Sequence, residues 1–496
     1  MNDPTRAPQR VQVAIIGAGP GGSVAATTLA EAGHDVLLIE AGPHLPVDSA
    51  PHFSRDEMMQ KYCNGGITPS FALSTSMAYL EGCCVGGGSE INRGLYQRTP
   101  DTVVETWRRD FHVDGITCET MVPHFEACEA VARVSPLRAP APPSSLRLQE
   151  GANRLGWRCA EVPRLVTYDD KPSGKKQSMS ATFLPRFLAA GGGLMPDTRV
   201  HRLRRIGGRW SISGTRRGRT LDIEADTIFV AGGAIRTPAL LKRSGIRRHV
   251  GGSLRFHPMV KVVAQFPEEI NLPGMPDPVH SVKEFEPRFS MGCSISAPPL
   301  LALTMAEHPD HMTEVDRHWR HMALYYVQST GGIGSVHNVP GFRDPLVRVQ
   351  FSRSDMAELA EGLKRLCECL FAAGAVTIYP GISGGVVLRT TGGVRGLPDT
   401  LRGNRATLSA LHLFATCPMG ERGDRCAVDS FGKVHGVDDL YLADASLLPS
   451  PTVVNPQGSV MAIAHRNALH FLERAAHGAA KPRSSDGRTL IARSNL

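Results

Sequence analysis

The sequence predicts an α/β protein in which a discontinuous, mainly parallel first domain is interrupted by a second, largely antiparallel one. Three observations carry that prediction. A strand–turn–helix–strand unit opens the chain between Val11 and Glu40. Residues 255–400 then change character, alternating strand-like stretches with one long amphipathic helix. A buried strand from Leu440 and an apolar helix to Leu472 return to the style of the opening. At 496 residues the chain exceeds one ordinary core, which agrees with two domains.

The opening unit is the most specific. Val13 to Ile16 reads as a buried strand that breaks at once into a turn with G-x-G-x-x-G spacing at Gly17, Gly19 and Gly22. A helix of small and apolar residues follows from Ser23 to Ala32, then a second apolar run, Val36 to Ile39, ending in the acid Glu40. The first glycine permits the tight turn, the second lets backbone approach a pyrophosphate, and the third allows close helix–strand contact. Phosphates would sit on the helix N-terminus, where free N–H groups and the dipole favour negative charge. Glu40 is placed to accept hydrogen bonds from a ribose. This is a Rossmann-like dinucleotide unit, and by itself it does not separate NAD from FAD.

The remaining elements follow in order. Residues 45–80 are irregular, with Gly65-Gly66 as a hinge, and read as a lid or connection. Gly82 to Gly94 is a second glycine-dense loop. Helices are expected at Thr102–Phe111, Val122–Val134 and Ser178–Ala190, with a proline-rich linker from Pro136 to Pro143. Arg199 to Arg219 reads as a basic hairpin, and a strand at Asp226–Ala231 leads through Gly232 to Pro238 into a helix ending near Ser244. Strands are expected at Val260–Phe266, His321–Gln328 and Leu346–Ser352, and a helix at Ser354–Ala373. The resulting division places a cofactor domain at 1–254 and 405–475, with 45–80 and 125–185 as lid or connecting excursions. A substrate domain occupies 255–404, and 476–496 form a loose tail.

Composition excludes several classes. The formal charge is +8 and the pI near 9.0, but the basic residues form no single block, so no nucleic-acid partner is expected. Eleven cysteines show no C-x-x-C spacing, which excludes a disulfide framework, leaves no metal site and fits a reducing cytoplasm. Met1 to Arg10 contains no apolar core of a secretory signal, and no apolar run is long enough for a transmembrane helix.

Four stretches together resemble the glucose–methanol–choline oxidoreductase family, flavoenzymes that oxidise alcohols with bound FAD. The opening unit resembles the family's FAD-binding βαβ. Gly87-Gly88-Ser89-Glu90-Ile91-Asn92 is similar to its G-G-S-x-x-N loop, and Gly233 to Ile246 to a family signature, departing at Arg247 where glycine is usual. His412 to Gly420 and Asp444 to Pro449, with Asn455-Pro456, are similar to its C-terminal catalytic region, although Ala415 stands where glycine is common.

The resemblance implies cofactor contacts at Gly17, Gly19, Gly22, Glu40, Gly88, Ser89, Asn92, Val200, Asp444 and Ala445. It implies hydride transfer from an alcohol to flavin N5, with His412 as base and Asn455, 43 positions on, orienting the substrate oxygen. Histidine suits the proton role because its ordinary pKa lies near neutrality. Asn455-Pro456 also reads as a helix start, asparagine capping and proline at the first helical position. His257, His435 and His465 are expected to be structural. With no histidine in residues 75–100, noncovalent FAD is expected. Oxygen or a quinone-like redox partner would reoxidise it. The apolar run Pro298 to Leu303 suits a hydrophobic, sterol-like or long-chain alcohol. The alternatives are a non-oxidative member of the family, a lyase or a flavin photodecarboxylase, and a binding protein on an inactive flavin fold.

Overall fold

The computed structural model describes residues 9–72, 75, 77–169, 174–401 and 406–479. Its first layer grows from β1 (Gln9–Ile16), whose Val13 to Ile16 are all buried. That strand pairs in parallel with β2 (Val36–Ile39) on one side and with the strand Arg219–Val230 on the other. Gly193–Met195 extends the parallel set beyond β2, and Leu440–Leu442 joins Arg219–Val230. The basic hairpin appears as a meander of Thr198–Ile206, Arg209–Arg216 and Arg219–Val230. Helix α1 (Pro20–Glu31) and the final helix Gln457–Ala479 pack together against this sheet. This is the mainly parallel, Rossmann-like layer that the opening motif predicts.

The second layer is a nine-stranded, largely antiparallel sheet centred on Met259–Gln265 and Met322–Ser329. Behind it lies Arg353–Ala372, whose Met356, Leu359, Leu363, Leu366 and Leu370 are buried. A capping box at Ser352 and Asp355 fixes its start. The alternate face, carrying Met259, Lys261, Tyr326 and Gln328, turns toward the first layer and lines a cavity.

Several expectations change. The excursions 45–80 and 125–185 supply strands to the second sheet, Thr68–Pro69 and Met77–Tyr79 at one edge and Cys159–Glu161 at the other. The segment read as a linker ends by starting a helix, Pro143–Arg154, which packs on the long helix. Leu408–Ala410 also belongs to the second sheet. The apolar run from Pro298 forms the helix Pro298–Met305. The final helix continues to Ala479, past the expected start of the tail. The rest of the expected tail and the 404/405 boundary lie outside the described residues. No described helix is long and apolar enough to cross a membrane.

Candidate active site

A cavity of about 520 Å³ runs from the glycine turn to the face of the second sheet. Gly17, Gly19, Glu40 and Val200 line one end, Gly88, Asn92, Asp444 and Ala445 its middle, and His412 and Asn455 the other end. The glycines divide by what surrounds them. A Cβ on Gly17 would lie 2.2 Å from the Ala231 carbonyl oxygen, one on Gly21 1.9 Å from that of Ala443, and one on Gly22 2.0 Å from that of Gly17. These three let α1 lie directly on the strand ends. Gly19, Gly88 and Gly233 have no atom within 4 Å of the same position, and all three face the cavity. Helix α1 begins with Pro20 and has no acidic residue in its first turn, so its free N–H groups face the cavity uncompensated. The residues around the glycine turn therefore fit a dinucleotide.

Glu40 accepts hydrogen bonds from the Ala18 and Gly42 amides, both at 2.9 Å. Burial raises its carboxyl pKa, against the pull of those amides and of Arg199. Asp444 joins two distant segments: one oxygen accepts from the Ser446 amide at 2.7 Å, the other from the Gly233 amide at 2.8 Å and the Thr237 hydroxyl at 2.5 Å. Asn92 accepts from the Gly94 amide at 3.0 Å and donates to Gln457 at 2.6 Å. Gly22 and Ser89 stand behind the wall rather than on it. Ser89 is fully buried, donating to the Gly86 carbonyl at 2.7 Å and accepting from the Met179 amide at 3.0 Å. The expected cofactor contact of Ser89 is thus corrected to bracing of the loop that carries Gly88.

At the other end the fold brings His412 and Asn455 together, with 3.3 Å between Asn455 Nδ2 and His412 Nε2. They belong to a longer chain. Lys283 Nζ donates to Gln97 Oε1 at 2.5 Å, and Gln97 Nε2 donates to Asn455 Oδ1 at 3.1 Å. His412 Nδ1 lies 3.0 Å from His257 Nδ1. An ammonium can only donate, so Lys283 sets the direction of every bond that follows. Gln97 must present its oxygen to Lys283 and its amide to Asn455. Asn455 then presents its amide to His412, whose Nε2 is left as an acceptor and whose Nδ1 carries the proton, donated to His257. Burial pushes the His412 pKa down to about 4, which keeps the ring neutral. His257 is fully buried and held well below its ordinary value by burial and by His412.

Local backbone explains the placement. Helix Gln457–Ala479 begins one residue later than expected, the Pro456 carbonyl accepting from the Val460 amide. The Asn455 side chain is not a helix cap and is free for the chain described above. Two residues before it, Val453 adopts φ 64°, a costly conformation for a β-branched residue of the kind that collects at functional sites. Ala415 has φ 61°, the left-handed region that glycine would occupy without strain. His435 and His465 bond to the Gly420 carbonyl at 3.0 Å and to His124 at 3.1 Å, away from the cavity. Sequence reasoning missed Gln97 and Lys283 and took His257 as structural; no local signal marks any of the three as neighbours of His412 and Asn455.

Residues 21–259 match the N-terminal family model described as GMC oxidoreductase, and residues 329–464 match its C-terminal counterpart. The chain belongs to the GMC oxidoreductase family. As a GMC oxidoreductase it is an FAD-dependent enzyme. An uncharacterized GMC-type oxidoreductase, y4nJ of Sinorhizobium fredii, is 35% identical, the match covering 92% of this chain and 93% of that one. Long-chain-alcohol oxidase FAO4A of Arabidopsis thaliana is 26% identical over 92% of this chain and 68% of its own. Among solved structures, pyridoxine 4-oxidase from Mesorbium loti superposes with a TM-score of 0.70 at 16% identity, covering 93% of this GMC oxidoreductase and 99% of that chain.

Proposed function

We propose that this GMC oxidoreductase oxidises an alcohol to an aldehyde or ketone, with His412 as the base. The carrying observation is the direction of the Lys283–Gln97–Asn455–His412 chain, which leaves His412 Nε2 as a neutral acceptor on the cavity wall. FAD, held without a covalent bond by the first layer, supplies the hydride acceptor. Nε2 has one lone pair, which the substrate hydroxyl takes over from the Asn455 amide 3.3 Å away. Nε2 then accepts the hydroxyl proton, and the displaced Asn455 amide donates to the substrate oxygen. His257 takes the Nδ1 hydrogen bond and so keeps the ring in the tautomer that can act as base.

The residues of the second sheet and the helix Pro298–Met305 form the substrate side. Leu300, Leu303 and Ile295 give it an apolar wall, which supports a substrate with a hydrophobic body. The 26% identity to a long-chain-alcohol oxidase supports the same reading. All eleven cysteines are unpaired, which supports a reducing, cytoplasmic setting. The test is anaerobic addition of primary and secondary alcohols to the yellow holoenzyme, followed by turnover with oxygen and with a dye acceptor. Bleaching of the flavin absorbance by an alcohol, lost in His412→Ala, is the expected result. Failure of every alcohol, with CO2 released from a fatty acid under light, would replace this reading by photodecarboxylation.

A further inference from the structure

Cys63 and Cys83 meet on the cavity wall, in two segments that the fold holds by different means. Cys83 is on the fixed side. A Cβ on Gly42 would lie 2.0 Å from the Cys83 carbonyl oxygen, and one on Gly82 2.5 Å from the Gly87 carbonyl, so the chain around Cys83 is wedged against the cofactor layer. Cys63 belongs to a strap over the cavity: the helix Arg55–Lys61 and the turn after it, with Phe53, Met58, Tyr62 and Ile67 on the wall. An antiparallel bridge, Tyr62 opposite Gly82, joins strap to loop. In it the Cys63 amide donates to the Glu81 carbonyl at 2.9 Å and the Cys83 amide to the Lys61 carbonyl at 2.7 Å. Residues one step to either side of such a bridge turn their side chains to the same face. There the two thiols are in hydrogen-bond contact, and Cys63 Sγ also reaches the Gly82 carbonyl at 3.8 Å. That contact lowers the Cys83 pKa and raises that of Cys63; burial and Glu40 oppose the fall at Cys83, while Arg199 and Arg236 assist it. Cys83 is half-buried and Cys63 buried, so the more acidic thiol is also the more accessible one.

We propose that Cys63 and Cys83 are a redox modification site, a dithiol that hydrogen peroxide converts to a disulfide, stapling the strap to the cofactor loop and slowing the loss of FAD. The Cys83 thiolate attacks one peroxide oxygen, the O–O bond breaks, and hydroxide leaves Cys83 as a sulfenic acid. The Cys63 sulfur then attacks the Cys83 sulfur, the S–O bond breaks, and the departing oxygen takes the Cys63 proton as water. Both sulfurs are oxidised, and the peroxide, with the proton Cys83 first gave up, ends as water. The movement required is small. Gly65 at φ 70° and Gly66 at φ 152° follow Cys63, and a chain with that freedom can carry its sulfur from contact to the bonded distance of about 2 Å. The setting matters as much as the pair. Glu40, which is placed for the ribose, and the Gly88 loop flank the fixed cysteine, so the staple closes over the adenosine end of the cavity. Free thiols in a reducing cytoplasm are the resting form, and the disulfide is the transient one.

Two measurements on the holoenzyme test this. After equimolar hydrogen peroxide and quenching, titratable thiols in denaturant should fall from eleven to nine, and peptide mapping should find Cys63 joined to Cys83. Dithiothreitol should restore the eleven. Flavin release into chaotropic salt is then followed by fluorescence. It should be slower by ~10-fold or more after peroxide, as for one disulfide holding a segment in place, and should recover with dithiothreitol. In Cys63→Ser and in Cys83→Ser peroxide should leave the release rate unchanged; the wild-type map stands as the test if either variant fails to fold. Eleven thiols remaining after peroxide, or oxidation mapped to other cysteines such as a Cys83–Cys84 link, would overturn the site. A Cys63–Cys83 disulfide that leaves flavin release as fast as before would overturn the staple. The second measurement rests on noncovalent FAD: flavin that neither form releases would refute that reading, and the site would be decided by the peptide map.

Discussion

Replacing Lys283 by methionine removes the one group that gives the active-site chain its direction. Without it, the Gln97 amide can turn over, Asn455 follows, and the Asn455 oxygen faces His412 Nε2. That nitrogen must then carry the proton, and the base is lost. The Lys283–Gln97 bond, at 2.5 Å, is a hydrogen bond from a charged donor, worth ~1.5–3 kcal/mol. Such a bias shifts the balance of the two orientations by roughly 10- to 150-fold. Lys283 is only half-buried, so water replaces part of the donation and the lower end is expected. The assay is steady-state kinetics on the best alcohol from the bleaching screen, with flavin content and thermal melting as controls. The expected outcome is a fall in kcat of about tenfold with KM and flavin content little changed. Lys283→Arg, which retains a donor-only cation, should recover activity. Gln97→Glu, which can accept from Lys283 but cannot donate to Asn455, should mimic the loss. Full activity in both Lys283→Met and Gln97→Glu would show that His412 does not depend on this chain.

The remaining predictions concern the base, the cofactor wall and the core. His412→Ala should lower kcat/KM by ~10²- to 10⁴-fold while retaining flavin. Because burial holds His412 at about 4, wild-type kcat/KM should show no loss as pH falls through 6.5 and should decline only near that lower value, where Nε2 becomes protonated. Gly19→Val should place a side chain in the open space over α1 and reduce FAD occupancy with little change in apoprotein melting, whereas Gly21→Ala should destabilise the fold by forcing the Ala443 carbonyl away. Asp277→Asn should cost ~3–5 kcal/mol in denaturant unfolding, since it leaves the buried Arg164 unpaired. Arg164 and Arg93 hold the Asp277 carboxyl below 3.8 despite its burial, so this stabilisation is complete above that pH and is lost as pH falls through the depressed value. Acid precipitation should release the yellow cofactor into the supernatant, and colour retained in the pellet would refute noncovalent binding.

The opening dinucleotide unit was fully legible because its parts are neighbours along the chain: strand, glycine turn, helix start and Glu40 define one another within a few turns of backbone. His412 and Asn455 were legible as residue types in recognisable surroundings. Their partners were not. Gln97 and Asn455 are 358 positions apart, and Gln97 and Lys283 are 186 apart, so no local pattern marks either as part of a site. Ser89 shows the converse: a motif residue whose hydroxyl turned to the backbone, because a short helix at Gly88–Ile91 directs it inward. The excursions were misread since strands of two or three residues carry no periodicity; their place is decided by the open edges of the sheet they complete.

The sequence by itself determined the cofactor layer and singled out His412 as the proposed base, because turn sterics, helix dipoles and side-chain chemistry are properties of residues and their near neighbours. Tertiary structure alone decided which nitrogen of His412 is the acceptor, because hydrogen-bond direction along Lys283, Gln97 and Asn455 exists only once distant segments share one site.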